Sequence, residues 1–534
     1  MPNITVDGVE YEVAEGRTLL QALDDLGVLM NGVDIPHYCW HPKLSVDGSC
    51  RLCQVEVEGV PKLQIACDMP VRDGMVIHTK NDRVKRAREG VMELLLLNHP
   101  LDCPICDQAG ECKLQDYAYQ YGVPHSRTKE PRRAAKKRVD LGPTIKFDQE
   151  RCILCRRCVR FCREIPGTGE LGTFGRGDQT VLDTFPGIEL DNNYSMNVAD
   201  ICPVGALTTK DFRFKIRTWF LDEVPGVCTG CANGCNIHMG VANNKVYRYV
   251  PRRNDAVNQT WMCDAGRMSY KEIGATERLT EVSLRRESGA LEPVTLQEGI
   301  RVAAERLQRV AADAKGAGVI VGFASAHATN EDLFTFKKLL SGLGTDAAAV
   351  PVVTGEADDL LIKAEKAANA AGARALGFAD PGRILERVRG GGVDAAIVLG
   401  HDLLDEAFLG DAAALANLDT VILLDTHHSD LERVAYLVFP TRHATEKSGT
   451  LTNHAGRVQR ALQAVEPGFE SYAEGDVLRR LGAALGLAGF ESAYDPRAVS
   501  REIANSVPAF AGIDLDSLGD EGAVVNGLPD GAGS

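Results

Sequence analysis

All sixteen cysteines of this 534-residue chain lie at or before Cys263, and the second half of the chain contains none. In an intracellular chain, where thiols are kept reduced, such crowding reads as metal ligation rather than as disulfides. The first half is therefore expected to fold as short loops around metal centres, and function is to be sought there. An intracellular location is itself expected. The start, MPNITVDGVEYEV, lacks the basic and apolar regions of a signal peptide, and the longest apolar run, residues 91–97, falls short of the roughly 18 to 20 residues a membrane span needs.

The densest stretch runs from His99 through Cys103 and Cys106 to Cys112, an H-x3-C-x2-C-x5-C pattern on backbone bearing Pro and Gly. The x2 spacing lets two sulfurs face one point, so the four side chains can close around a single metal centre. Upstream, Asp82 can cap a helix whose apolar residues Val84, Ala87, Val91, Leu94 and Leu95 recur at helical spacing. Pro100 biases His99 out of the helical region, so the helix should end beside the imidazole. The bland alternative is a helix-ending histidine with no ligand role.

The chain begins as strand, turn, strand, helix: residues 4–6, then 11–13, then a helix from Thr18 burying Leu19, Leu20, Leu23 and Leu26. This is how a small β-grasp ferredoxin domain starts. Cys39, Cys50, Cys53 and Cys67 follow at C-x10-C-x2-C-x13-C, a longer first spacing than the plant-type ferredoxin rule. A [2Fe–2S] cluster is assigned to them, with a zinc knuckle as the alternative. Residues 127–138 (RTKEPRRAAKKR) form a basic run that reads as a solvated linker, with docking to an acidic partner surface second. The net charge of −15 argues against a nucleic-acid binder.

Cys152, Cys155 and Cys158 at C-x2-C-x2-C are the strongest cluster signal, since three thiolates spaced by twos wrap one iron–sulfur cube. The fourth ligand must be chosen. Cys162 has the x3 spacing, but in two-cluster ferredoxins that residue serves the other cube and precedes Pro, whereas Arg163 follows here and no second triplet exists. Cys202, which carries the Pro, is the choice, and Cys162 is read as a spare buried thiol. Cys228, Cys231, Cys235 and Cys263 make a last set at C-x2-C-x3-C-x27-C, where Gly230 and Gly234 let amides turn toward sulfur. A structural zinc would satisfy the same spacing.

From about residue 276 short apolar runs (319–323, 395–399, 421–424) alternate with Ala-rich helical stretches, implying parallel α/β layers. Neither a placed G-x-G-x-x-G nor a G-x4-G-K-[ST] is present, so dinucleotide and triphosphate binding lack support. The Gly- and Asp-rich tail from about 515 is expected to be mobile.

Taken in order, these motifs resemble the large iron–sulfur subunit family of respiratory complex I, the G subunits of bacterial NADH:quinone oxidoreductase. The most specific parts are Gly48-Ser49-Cys50-Arg51-Leu52-Cys53, the His99–Cys112 run, the stretch from Arg151 to Phe161, residues 167–172 (GTGELG) and Cys202-Pro203-Val204-Gly205-Ala206-Leu207. The resemblance implies one [2Fe–2S] on Cys39, Cys50, Cys53 and Cys67, and three [4Fe–4S]. These would sit on His99, Cys103, Cys106 and Cys112; on Cys152, Cys155, Cys158 and Cys202; and on Cys228, Cys231, Cys235 and Cys263, the last an extra cluster that only some bacterial members keep, off the main electron path. Residues 325–331 (SAHATNE) and 446–459 (EKSGTLTNHAGRVQ) match the molybdopterin-oxidoreductase fold, in stretches that approach the pterin of catalytic relatives. In this branch that half is generally cofactor-free, so no molybdopterin is expected.

The expected fold is thus α+β ferredoxin-like modules followed by an α/β molybdopterin-oxidoreductase-like domain. Its parts are a β-grasp [2Fe–2S] domain (1–80), a His/Cys [4Fe–4S] module (81–125), a basic linker (126–145), a ferredoxin-like [4Fe–4S] module (146–215), a molybdopterin-oxidoreductase-type [4Fe–4S] domain (216–275), a degenerate α/β domain (276–490) and a partly disordered extension (491–534). No bond-making residue is needed. The implied function is to pass single electrons from a flavin-bearing NADH-oxidising subunit toward quinone-side iron–sulfur subunits, peripherally on the cytoplasmic face of the inner membrane and touching it only through partners. Two other classes remain: the iron–sulfur subunit of an NAD-linked formate dehydrogenase or hydrogenase, and a structural zinc scaffold.

Overall fold

The computed structural model describes residues 1–274, 276–313 and 320–527. It divides into two compact units, Met1–Leu221 and Asp222–Ser534.

In the first unit β1 (Asn3–Val6) and β2 (Val9–Glu12) form a hairpin whose Asp7-Gly8 turn has φ of 48° and 87°, the left-handed pair that a two-residue hairpin turn requires. Thr18 does not begin α1 (Leu19–Asp25) but caps it: its hydroxyl accepts the Gln21 N–H while the Gln21 amide oxygen accepts the Thr18 N–H at 3.0 Å. Leu19, Leu20 and Leu23 are buried as expected; Leu26 ends the helix and is exposed. With β3 (Gln54–Val57), β4 (Gln64–Ile65) and β5 (Met75–His78) the sheet has the order β2-β1-β5-β3-β4, with β1 parallel to β5. Ile4, Val6, Val55, Val57 and Ile77 pack with the α1 leucines in one core.

Asn81, rather than Asp82, caps α2 (Asp82–Leu96), accepting the Val84 N–H at 3.0 Å. The buried face of α2 is Val84, Arg88 and Met92, one i,i+4 line, and Leu94 is 73% exposed, so the expected apolar face is rotated. Arg88 can occupy that line because its guanidinium donates to the Tyr121 hydroxyl at 2.9 Å and to the Gln54 carbonyl at 3.2 Å. α2 ends before His99, as Pro100 requires. Then come α3 (Lys113–Tyr121), the irregular basic run, β6 (Val139–Asp140), β7 (Ile145–Phe147), α4 (Arg157–Glu164), the hairpin β8 (Leu171–Phe174) and β9 (Val181–Thr184), α5 (Asn197–Asp200) and β10 (Leu207–Thr209), with β10-β7-β6 forming a small sheet.

The second unit opens with an antiparallel sheet of β11 (Asp222–Val227), β12 (Asn236–Ala242) and β13 (Lys245–Pro251), followed by α6 (Asp264–Met268). β14 (Ser283–Arg285), β15 (Leu291–Pro293), α7 (Leu296–Asp313), β16 (Ile320–Phe323), α8 (Asn330–Gly342), β17 (Ala348–Ala349), α9 (Ala370–Ala375), α10 (Gly382–Arg389), β18 (Ala395–Leu399), β19 (Thr420–Asp425) and β20 (Leu437–Pro440) build a seven-stranded sheet of order β15-β14-β20-β19-β18-β16-β17. The expected strands are present and pair in parallel; Val319, the first residue of one of them, lies outside the described residues. Both faces are covered, as a parallel sheet demands. Ile397, Leu399, Ile422 and Leu424 pack with α7 and α8, while Val398, Val421 and Leu423 pack with Ile384, Leu385 and Val388 of α10.

β21 (Gly449–Thr452), β22 (Arg457–Ala461), α11 (Glu474–Ala484), α12 (Pro496–Ser506) and β23 (Ala523–Val524) complete the unit. The expectation of a disordered extension and mobile tail is corrected up to residue 527. Val499 and Ile503 of α12, Phe510, Leu518 and Val525 lie in the main core, and β23 pairs with β22. A few apolar residues spaced among Gly and Asp anchor this segment, and average composition hid them. The rest of the tail, 528–534, lies outside the described residues.

Candidate metal centres

The first set sits on the loops joining α1 to β3 and β4 to β5. Cys39, Cys53 and Cys67 are buried and Cys50 is half-buried. The thiols are in mutual hydrogen-bond range, Cys39 with Cys50 and Cys67, and Cys53 with Cys67. These bonds push Cys39 and Cys53 toward thiolate, while their partners Cys50 and Cys67 keep their protons. Four thiols linked in this way are a donor set in which metal could replace the shared protons.

In the second set His99 leaves α2, Cys103 and Cys106 lie on a short 3-10 turn and Cys112 caps α3. His99, Cys103 and Cys112 line one cavity, and the Cys106 thiol feels the charge of Cys103. Burial, with the Arg151 guanidinium nearby, lowers His99 to about 4, so the imidazole is neutral at pH 7, the form that ligates metal. Burial pushes the Cys112 thiol up to about 11. Cys103 alone is exposed.

The third set surrounds a small apolar cavity lined by Cys152, Cys155, Cys158 and Cys202 together with Phe147, Leu182, Val204 and Leu207. Leu154 and Arg156 have φ of 53° and 55°, left-handed backbone that costs a non-glycine residue about 1–3 kcal/mol and wraps the loop around that space. The Leu154 N–H donates to the Cys152 sulfur at 3.4 Å. Burial pushes the Cys202 thiol up to about 12 and Cys152, Cys155 and Cys158 upward too. Cys162 does not line the cavity; on α4 its thiol bonds Glu170 instead.

Cys228 follows β11, Cys235 precedes β12 and Cys263 caps α6, which gathers the fourth set at one end of the antiparallel sheet. Cys235 feels the charges of Cys228, Cys231 and Cys263. The Asn233 amide donates to the Cys235 sulfur at 3.0 Å and the Gly266 N–H to the Cys263 sulfur at 3.3 Å. A Cβ on Gly266 would stand 2.9 Å from the Cys228 sulfur and 3.2 Å from that of Cys263. Gly266→Ala is therefore expected to weaken or abolish the signal of a cluster at this set while leaving the others, read by low-temperature EPR.

The first three sets are neighbours within the first unit. The Cys155 thiol feels the charge of Cys39. Residues 202–205 reach from the third set to the second: the Cys112 thiol donates to the Pro203 carbonyl at 3.8 Å, and a Cβ on Gly205 would lie 2.2 Å from the Cys106 sulfur. Sequence spacing gave no hint that Gly205 is a contact point between two sites.

The later motifs are drawn together by hydrogen bonds. Asn330 donates to the hydroxyls of Thr450 and Thr452 at 3.0 Å, and Glu331 accepts the Thr450 N–H at 2.8 Å. Glu446 pairs with buried Arg278 at 2.8 Å. A crevice opens beyond the carboxyl ends of β16, β18, β19 and β20, lined by Ser325, His327, Asp402, Asp425 and Glu474 among others. Here the Asp425 carboxylate holds His401 up at about 9, its ring nitrogen 2.9 Å away. Because that lies above the usual 6.5, the stabilisation is complete below pH 6.5 and is lost as pH rises through about 9. Urea unfolding should thus show stability falling across this window, with a flatter slope in Asp425→Asn.

Comparison with known proteins matches five stretches of the chain. Residues 2–82 fit a 2Fe-2S iron-sulfur cluster binding domain, 88–127 the NADH-ubiquinone oxidoreductase-G iron-sulfur binding region, and 142–208 the ferredoxin-like domain of NADH-quinone oxidoreductase subunit 3. Residues 221–274 fit the molybdopterin oxidoreductase Fe4S4 domain and 359–484 molybdopterin oxidoreductase. In chain order, 2Fe-2S and 4Fe-4S binding domains thus precede a molybdopterin-oxidoreductase domain. The chain is similar to the G subunits of NADH-quinone oxidoreductase: that of Rickettsia conorii is 41% identical over 346 residues, 65% of this chain and 50% of the relative. The NADH-ubiquinone oxidoreductase 75 kDa subunit of Reclinomonas americana is 41% identical over 65% of this chain and 48% of its own. The mitochondrial NADH dehydrogenase [ubiquinone] iron-sulfur protein 1 of Solanum tuberosum is 40% identical over 64% and 45%. The chain spans about half the length of these relatives. A chain of an NAD+-reducing [NiFe]-hydrogenase in the H2-reduced state is 31% identical over 41% of this chain and 91% of its own, with a TM-score of 0.35.

Proposed function

We propose that the chain carries single electrons within an NADH:quinone oxidoreductase, receiving them from a flavin-bearing NADH-oxidising subunit and delivering them to iron–sulfur subunits on the quinone side. The ligand sets are those assigned above, with Cys202 rather than Cys162 completing the third. The observation that carries this reading is the adjacency of the first three sets inside one unit, the second and third in contact through residues 203–205 and the first and third joined through Arg160. When bound, such clusters supply one-electron chemistry whose potential depends on charge, hydrogen bonds and burial. The protein's part is to hold thiolates and a neutral His99 in dry loops, aim N–H groups of Leu154 and Gly266 and the Asn233 amide at sulfur, and keep water out.

No helix among the described residues is long and apolar enough to cross a membrane. Attachment to the cytoplasmic face of the inner membrane would then run through partner subunits. The second unit serves as a scaffold without pterin on this reading. Support comes from the mutual hydrogen bonding of the two pterin-approaching motifs, which engages their polar groups with each other.

Metal analysis tests the proposal. One [2Fe–2S] and three [4Fe–4S] clusters predict a brown protein with about 14 iron atoms per chain, matching sulfide and no molybdenum. A colourless protein with about four zinc ions would instead establish the scaffold reading.

A further inference from the structure

Two arginines on α4 stand between the first and third cysteine sets. The Arg160 guanidinium donates to the carbonyls of Cys39 and Ser45 on one side and to that of Cys155, at 3.4 Å, on the other. Arg157 donates to the carbonyl of Trp40, next to Cys39, and at 3.1 Å to that of Ile201, next to Cys202. Both cations thus join backbone beside ligands of one set to backbone beside ligands of the other.

Their electrical situation is unusual. Arg160 is 4% exposed, and among the described residues neither arginine forms an ion pair with a carboxylate. The neighbouring Arg156 and Arg163 do, with Asp47 at 2.6 Å and Glu164 at 3.4 Å, and the Glu164 carboxylate also feels the charge of Arg160 without bonding it. Guanidinium groups do not lose their proton in proteins, and a buried cation is unfavourable unless opposite charge compensates it. The buried Nε–H of Arg157 and that of Arg160 also lack a hydrogen-bond acceptor. Carbonyl oxygens solvate these cations but do not neutralise them. Apart from Glu164 beside Arg160, the charges facing the pair are cysteine sulfurs of both sets, Cys39, Cys50, Cys155 and Cys202 for Arg157, and iron–sulfur centres held by thiolates are anionic.

We propose that Arg157 and Arg160 form a cationic bridge between the Cys39–Cys67 and Cys152–Cys202 centres, fixing the two ligand loops against each other and raising the reduction potentials of both. Each reduction adds negative charge beside the bridge, so a fixed positive charge favours the reduced state at either site. Arg157 and Arg160 are positioning residues. The inference rests on the cluster assignment, which the iron, sulfide and EPR signals of the unsubstituted protein test separately.

The experiment is an EPR-monitored redox titration of the intact, cluster-loaded protein in its complex, comparing Arg157→Gln, Arg160→Gln and Arg160→Lys. Both glutamine variants are expected to shift the [2Fe–2S] signal and the signal of the Cys152–Cys202 centre to lower potential, while Arg160→Lys, which keeps the charge, stays near the starting values. Unmoved potentials with full signal intensity, or a shift at only one centre, would overturn the bridge. If Arg160→Gln fails to retain the clusters, retention in Arg160→Lys supports the charge role, and loss in both variants shows a merely steric one.

Discussion

Cys202→Ser protein is expected to contain about 10 iron atoms rather than about 14 and to lack one [4Fe–4S] signal at low temperature, because a serine oxygen is a poor substitute for a thiolate. Cys162→Ser should keep the full complement. The reason is spatial: Cys202 shares the apolar cavity with Cys152, Cys155 and Cys158, and Cys162, one helical turn beyond Cys158, bonds Glu170. The Cys202 sulfur is also held in place by the turn it opens, donating to the Val204 carbonyl at 3.0 Å. Loss of the signal in Cys162→Ser with retention in Cys202→Ser would reverse the assignment.

The largest expected loss of stability lies far from the cysteines. Lys447 places its ammonium 3.1 Å from Asp332 and 2.5 Å from Glu474, with all three side chains at 10% exposure or less. Asp332 further accepts from the Tyr494 hydroxyl at 2.7 Å and from the Gly475 N–H at 3.0 Å, so one carboxylate ties α8 to α11 and to the chain before α12. Lys447→Met removes the cation of this group and leaves buried carboxylates without compensation, a change that costs about 3–5 kcal/mol. The deficit should shrink toward acid pH. Without Lys447, burial raises the folded-state pKa of Asp332 and Glu474 above their unfolded values, and such groups destabilise the fold only once pH exceeds the unfolded value. Urea unfolding at pH 7 and pH 5 checks both statements, and an equal loss at the two pH values would contradict them.

Much of the candidate site was legible in linear order. Cysteines two and three residues apart on glycine-bearing loops must face a common point, and Pro100 and the flanking turns place His99 at a helix exit whatever the surroundings. The parallel sheet was legible for a similar reason, since strands buried on both faces are continuous apolar runs. Helix orientation was less so. Arg88 takes an interior position on α2 and leaves Leu94 in solvent because Tyr121 and the Gln54 carbonyl receive its guanidinium, partners 33 and 34 residues away. The tail was misread for want of the same information: Leu518 and Val525 are isolated in a polar sequence, and only the core they enter gives them an anchoring role.

What the sequence determined by itself is the set of thiols and the imidazole, the closely spaced members of each group, and the alternation of strand and helix after residue 276, because each depends on neighbours a few residues apart. The choice of Cys202 over Cys162 was open to the sequence through the following proline, but only the tertiary structure shows that Gly205 touches the second set and that two arginines of α4 stand between the first and third. The arginine contacts join segments 44 to 121 residues apart, where the packing of whole elements, rather than local backbone preference, sets which side chains meet.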